Sequence, residues 1–256
     1  MDVKGAVVLV TGAASGMGRL ACRLMSERGA QVAAIDVNEA GLAETASGAQ
    51  GIHAQRVDVT DFRALNAAVQ HVEQTLGPIR RVYNAAAIMP LGPLIEQDNA
   101  TVHRIMAINY GGLVNVAQAA LPAMLRRGTG EFVSFSSLAG WIPMLRVGAY
   151  NASKFAVSAF TEVLYHENRA SGLRFACVCP PPVATPLLQQ GYDTGMPKII
   201  AEMEPIEPRV VLDAIETALE RSEFWVFPGK GSRRGTLMRR WLPGLVWKGV
   251  HEREGY

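Results

Sequence analysis

The sequence predicts an α/β protein with a doubly wound parallel sheet, helices on both faces, three layers in a single domain. Three observations lead there. Residues 6–10 (AVVLV) form a continuous apolar, β-branched run, the mark of a strand buried on both faces. A glycine-rich turn, residues 11–18 (TGAASGMG), follows it directly and opens a helical pattern. Strand-like runs then alternate with amphipathic segments as far as residue 227, as a parallel sheet with crossover helices requires.

Bulk composition agrees. The chain has 256 residues, of which 49% are hydrophobic and 19% charged, with mean hydropathy +0.11. That suits one domain with a large core, placed here at residues 1–230, with a tail at 231–256. Cys22, Cys177 and Cys179 have neither disulfide nor zinc spacing, and no metal site is expected. No basic leader precedes the first strand, and no apolar run reaches the ~18 residues of a membrane span. The reading is a cytoplasmic protein. Net charge is +2, but residues 228–256 carry seven Lys and Arg against two Glu, which leaves −3 for the rest. The body has no basic surface for nucleic acid.

The first helical pattern, residues 17–28, puts Leu20, Leu24 and Met25 on one face, and Gly29 ends it. Residues 31–35 (QVAAI) make a second strand ending at Asp36. This is a Rossmann-like βαβ unit with glycines at the first strand–helix turn. Glycines let the backbone approach a pyrophosphate, and the helix N-terminus offers free N–H groups. Gly12, Ser15, Gly16, Met17 and Gly18 are the candidates for that cradle. Asp36 can accept both ribose hydroxyls of an adenosine and would repel a 2′-phosphate, and Val37 follows it with no Arg or Lys. The predicted cofactor is therefore NAD, with NADP as the alternative.

Further strands are read at 51–57, 80–84, 131–136, 173–179 and 224–227, and helices at 62–76, 99–126, 150–170 and 208–221. After the fifth strand comes Ser137, with Tyr150 thirteen residues on and Lys154 four beyond that. On a helix, positions i and i+4 share a face, so an ammonium stands beside a phenol. A phenol titrates near 10, and a neighbouring cation lowers that value toward useful acid/base range. The loops after strands four to six carry Met89, Trp141, Met144, Leu187 and Leu188 and few charges, which predicts a pocket for an apolar substrate, with its outer loop at about 183–207.

The spacing TGxxxGxG after a strand, with YxxxK downstream, resembles the short-chain dehydrogenase/reductase family. The resemblance covers residues 7–185. It implies hydride transfer between a nicotinamide cofactor and a secondary alcohol or ketone, and the apolar pocket composition points to a bulky steroid-, retinoid-, terpenoid- or lipid-like one. By resemblance, Asp58 and Val59 flank the adenine, while Asn84, Ala85 and Ala86 follow the cofactor beyond the fourth strand. Pro180, Val183 and Thr185 hold the nicotinamide carboxamide. Tyr150 is the proton carrier, Lys154 lowers its pKa and bonds the nicotinamide ribose, Ser137 steadies the substrate oxygen, and Asn109 holds a water of the proton relay. Two positions depart from the family pattern. Ala87 and Pro181 stand where glycine is usual, giving up positive φ and an N–H respectively.

The tail mixes Arg pairs with Trp and Leu, broken by Pro243-Gly244. It either folds back over the pocket or makes peripheral contact with an anionic membrane. The Asp-Gly-Gly-like ending of many tetrameric members is absent, so a homodimer through the two long helices that precede and follow the fifth strand is expected over a tetramer. Rival readings are an NADPH-dependent carbonyl reductase, a membrane-surface lipid-binding protein and a non-catalytic dinucleotide-binding sensor or scaffold.

Overall fold

A computed structural model describes residues 3–255. Seven parallel strands form one sheet: β1 (Val7–Thr11), β2 (Gln31–Asp36), β3 (Ile52–Arg56), β4 (Ile79–Asn84), β5 (Gly130–Phe135), β6 (Leu173–Val178) and β7 (Trp225–Val226). Their order is β3-β2-β1-β4-β5-β6-β7, so the chain reverses direction across the sheet between β1 and β4. Ligands of open α/β sheets bind at that switch, outside the carboxyl ends of the strands.

The strand alternation sorts the core into two layers. Val8 and Val10 of β1 point to the side covered by α1 (Gly16–Glu27), α2 (Glu39–Ala46) and α9 (Pro208–Arg221). Val7 and Leu9 point to the side covered by α3 (Phe62–Thr75), α5 (Gly112–Arg127) and α6 (Gly148–Glu167). Short polar side chains start the helices. Asn38 accepts from Gly41 N–H to cap α2, and Asp61 accepts from Ala64 N–H to cap α3.

The long helix expected over 99–126 is not continuous. It runs as α4 (Asn99–Met106), a π-helical turn at Ala107–Gly111, and α5. One extra residue in that turn displaces Asn109 inward, where it is 1% exposed. The outer loop at 183–207 folds into α7 (Pro186–Thr194) and α8 (Lys198–Ala201), and the tail into α10 (Ser232–Trp241) and α11 (Pro243–Glu254). Among the described residues no helix is long and apolar enough to cross a membrane.

A charge ladder crosses the opposite end of the sheet. Arg81 of β4, Glu131 of β5 and Arg174 of β6 are paired in register on adjacent strands. Glu131, 0% exposed, takes ion pairs from both arginines. Arg81 also reaches Glu216 of α9 at 2.5 Å and donates to Tyr83 Oη at 2.9 Å. Glu131 and Arg174 sit at the amino ends of β5 and β6, and Arg81 in the amino-terminal half of β4, away from the site.

Candidate active site

The groove at the switch point is shaped by two glycines that no other residue could replace. Gly12 has φ +68°, and a Cβ there would stand 2.8 Å from the Ala85 backbone. A Cβ on Gly18 would stand 2.1 Å from Gly12 O. Ser15 holds the N-cap of α1 in extended conformation without a side-chain capping bond, so first-turn N–H groups open to the groove. Asp36 is fixed at the end of β2, its carboxylate accepting from Ala14 N–H at 3.1 Å and Asn38 N–H at 3.0 Å. Asp58 accepts from both the N–H and the hydroxyl of Thr60 at 2.8 Å. Gly16, Met17, Val59, Ala85 and Ala86 line the same groove. Val37 and Ile88 line it too, as does Arg104, which the sequence does not assign there.

Asn84 does not line the groove. It is buried, and its amide oxygen accepts from Thr11 Oγ1 at 3.2 Å, which in turn accepts from Ala86 N–H at 3.3 Å. Its role here is to tie the end of β4 to the end of β1 beneath the loop. Ala87 causes no backbone strain. Among the described residues only Arg146 and Ser222 are non-glycines at positive φ.

Beside the groove lies an apolar cavity of about 1030 Å³, counting its open mouth. Met17, Ala85, Ala87, Thr185 and Leu187 line both spaces, so the two meet there. Met89, Met144, Leu187 and Leu188 wall the cavity, as do Val147 and Ile200, which the sequence reading left out. Trp141 does not. Its ring packs edge-on to Trp225 and Phe227, and its Nε1 donates to Cys179 Sγ at 3.3 Å, so the short 3₁₀ turn Leu138–Gly140 sends it to the β7 side. Pro180, Val183 and Thr185 border the cavity beside Pro181. That loop is pinned by Leu138 N–H to Pro180 O at 2.9 Å and by Ile206 N–H to Pro182 O at 3.0 Å. Its fixed bonds do not need the N–H that Pro181 lacks.

Three polar groups of the cavity gather in one place. Ser137, Tyr150 and Lys154 line it together, and Lys154 is the one charged lining residue among those described. The Ser137 hydroxyl lies close enough to the Tyr150 phenol to pull its pKa down, and its Oγ accepts from Ala139 N–H at 3.0 Å. The neighbouring Ser136 is excluded from this role because its hydroxyl is committed to Lys154 O at 3.1 Å and Ser158 Oγ at 2.7 Å. Lys154 Nζ donates to Phe135 O at 2.8 Å and lies 5.6 Å from the Tyr150 ring centre.

Asn109 stands outside the cavity. Its amide oxygen accepts from Ile88 N–H at 2.9 Å, and its amide nitrogen donates to Ile88 O and Ser153 Oγ, each at 3.0 Å. It clamps the loop after β4 to α6, and its amide oxygen, which accepts one bond, keeps a second lone pair.

One electrostatic expectation is reversed. Burial pushes the Tyr150 phenol up, against the downward pull of the Ser137 hydroxyl. The Lys154 ammonium, directed at the Phe135 carbonyl and itself destabilised, does not offset that rise. Burial brings Lys154 down to about 8, opposed by the Cys177 and Cys179 thiols.

The family model described as short chain dehydrogenase matches residues 6–194. The chain belongs to the short-chain dehydrogenase family. This short-chain dehydrogenase is 34% identical over 204 residues to 2-(S)-hydroxypropyl-CoM dehydrogenase 3 of Xanthobacter autotrophicus, covering 75% of this chain and 78% of that protein. It is 27% identical over 250 residues to human epidermal retinol dehydrogenase 2, covering 94% and 80%. A short-chain dehydrogenase/reductase from Burkholderia phymatum in complex with NAD superposes with TM-score 0.84 over 96% of both chains, at 23% identity. A structure from Burkholderia cenocepacia with TM-score 0.83 and 23% identity, covering 98% of this chain and 99% of that one, contains NADP. The protein is an oxidoreductase of this family with its nucleotide-binding fold, and the family cofactor is NAD or NADP.

The lysine gives the dehydrogenase a measurable pH signature. Its pKa is lowered from 10.5 to about 8 by burial. Between those values the unfolded chain binds the extra proton, so this group's contribution rises with pH across the window and is lost as pH falls through 8. Wild type is therefore expected to gain stability relative to Lys154→Met from pH 8 to 10, measured by urea unfolding without cofactor. Parallel curves would remove the buried-lysine account.

Proposed function

We propose that this protein is an NAD-dependent dehydrogenase or ketoreductase acting on a bulky, uncharged, hydrophobic secondary alcohol or its ketone. The observation that carries the reading is a polar corner, Ser137–Tyr150–Lys154, in a cavity whose other lining residues are apolar except Ser136 and Thr185, and which opens onto the groove at the switch point. Apolar walls bind apolar surface and offer nothing to offset a buried substrate charge. Five methionines (Met17, Met89, Met144, Met196 and Met203) contribute to the lining and adapt to irregular shapes. One relative, the retinol dehydrogenase, is named for an apolar alcohol.

The groove fits a dinucleotide on its own geometry, since the two glycines leave a cradle that a Cβ would fill. Gly12, Ser15, Gly16, Met17 and Gly18 would hold the pyrophosphate, Asp36 the adenosine ribose, and Asp58 and Val59 the adenine. Ala85 and Ala86 would run alongside, with Pro180, Val183 and Thr185 at the carboxamide and Lys154 at the second ribose. When bound, the nicotinamide carries the hydride. Tyr150 takes the hydroxyl proton of an alcohol or returns it to a ketone oxygen, and Ser137 holds that oxygen within reach of the phenol. The apolar walls keep competing water away from the reacting atoms.

Asp36 supports NAD over NADP, because its carboxylate would repel a 2′-phosphate and Val37 beside it is apolar; Arg56, opposite Asp36 on β3 with its Nε donating to Val37 O at 3.4 Å, is the cation that the NADP alternative would use. NADH is expected to bind at least about tenfold more tightly than NADPH in a fluorescence titration, one charge-matched contact being typically worth that much. Tighter NADPH would overturn this use of Asp36. The test of the reaction is a panel of hydrophobic alcohols and ketones followed at the NADH absorbance. Turnover confined to small charged alcohols would sink the substrate class. The assembly proposed is a homodimer through α5 and α6, where α6 leaves Phe155 and Val163 exposed. Sedimentation velocity reads it directly.

A further inference from the structure

The two helices after residue 231 have a body face and an outer face. On α10 the body face is Ser232, Gly235 and Thr236. Ser232 and Thr236 are buried, and a Cβ on Gly235 would lie 3.3 Å from Ile142 Cδ1. Ile142 lines the apolar cavity. On α11, Val250 is buried, Glu254 accepts from Ile199 N–H at 2.9 Å and Arg253 pairs with Glu202 at 2.5 Å. These contacts seat α11 on α8, whose Ile200 also lines the cavity. The tail thus rests on the cavity's outer wall.

The outer face has no protein partner among the described residues and is of a distinct kind. Leu237, Met238, Trp241, Leu242 and Leu245 are 50%, 47%, 74%, 54% and 57% exposed. Leu237 and Trp241 are one turn apart and share a face. The apolar set continues across the Pro243 elbow to Leu245. Arg233, Arg234 and Arg240 are exposed beside it, Arg240 lying over the Trp241 ring at 5.8 Å, and α10 contains no acidic residue. The rest of the protein is net negative, so the positive charge is concentrated where the apolar side chains emerge.

We propose that the elbow of α10 and α11 is a docking surface for an anionic phospholipid bilayer. Trp and Leu side chains enter the headgroup boundary while the flanking arginines meet lipid phosphates. A neutral or acidic protein partner would leave either the charge or the apolar set unmatched; the two together are complementary to a bilayer surface. Docking there holds the cavity's outer wall against the lipid, a source of the hydrophobic substrate. Docking itself does not depend on the proposed reaction, and its test uses no turnover.

The full-length protein is sedimented with vesicles of phosphatidylcholine alone and of phosphatidylcholine mixed with phosphatidylglycerol, at low and high salt. Binding is expected to the mixed vesicles at low salt, with salt weakening it and neutral vesicles giving little. Each arginine at the surface is worth roughly fivefold, so Arg233→Gln/Arg234→Gln/Arg240→Gln is expected to weaken binding about a hundredfold. Leu237→Ser/Trp241→Ser/Leu245→Ser is expected to abolish it. Both variants change exposed side chains only, and unchanged NADH affinity and unfolding midpoint establish that they fold. No binding of wild type to the mixed vesicles overturns the proposal, as does binding that neither variant alters. A switch to a smaller species on sedimentation velocity in the serine variant, with vesicle binding unchanged, would assign the surface to a second copy of this chain instead.

Discussion

Tyr150→Phe is expected to lower turnover by roughly 10²–10⁴-fold, the usual contribution of a positioned acid/base, while leaving NADH affinity unchanged. The substitution removes one oxygen. The phenol is buried close to the Ser137 hydroxyl, and the ring keeps its packing against Met89, Leu91 and Leu188. Lys154 keeps its bond to Phe135 O. Stopped-flow or steady-state rates give the first quantity and fluorescence titration the second. Lys154→Met should differ by losing cofactor affinity as well, because Lys154 is the group placed to meet the second ribose. Full activity in Tyr150→Phe would move the proton carrier elsewhere; retained biological function without any turnover would favour the sensor reading.

The backbone of this site was legible because each piece has a strong local cause. Residues 6–10 and 31–35 are apolar on both faces and admit no other buried element, and glycines 12 and 18 sit where the geometry tolerates nothing larger. Ser137, Tyr150 and Lys154 do come together in the cavity. What failed was direction. A loop residue's side depends on the backbone turn before it, so Trp141 went to β7 rather than to the cavity. The resemblance places Asn84 beside the cofactor and Asn109 beside a water, and it carries no information on their protein partners. Both turned inward to bond the protein itself. The resemblance implies a kink at Asn109, but its π-helical form is not legible, since one added residue barely disturbs an apolar repeat. The effect of Lys154 on Tyr150 was misjudged because spacing reports neighbours and says nothing about desolvation.

Glu131→Ala is expected to destabilise the protein by about 3–5 kcal/mol, the cost of stranding a buried partner charge. Arg81 is 1% exposed and would keep Glu216, at the edge of the network, as its remaining carboxylate partner, with its bond to Tyr83 Oη. Arg174, more exposed, can turn to water. Chemical denaturation should show a lower midpoint with the slope unchanged. The double variant Arg81→Met/Glu131→Leu should recover much of the loss, because apolar pairs of similar volume often equal a buried ion pair. NADH affinity should not change in either variant, since the ladder lies in the amino-terminal halves of β4, β5 and β6. A loss below about 1 kcal/mol would place the ladder with ordinary surface pairs.

The lid helix α7 is stitched to the loop after β4. Gln190 Oε1 accepts from Met89 N–H at 2.6 Å, Thr194 Oγ1 from Leu91 N–H at 2.9 Å, and Arg146 Nε donates to Gly195 O at 3.0 Å. Met89 and Leu91 line the cavity from one segment, Leu187 and Leu188 from the other. Neither segment can be redrawn alone. A residue exchanged on one side shifts the backbone that carries the other, so changes of substrate preference must be acquired as linked sets, and single replacements will misreport what each position contributes. Divergence of this pocket is thus a joint property of two segments about a hundred residues apart, recorded in pairs rather than in either stretch.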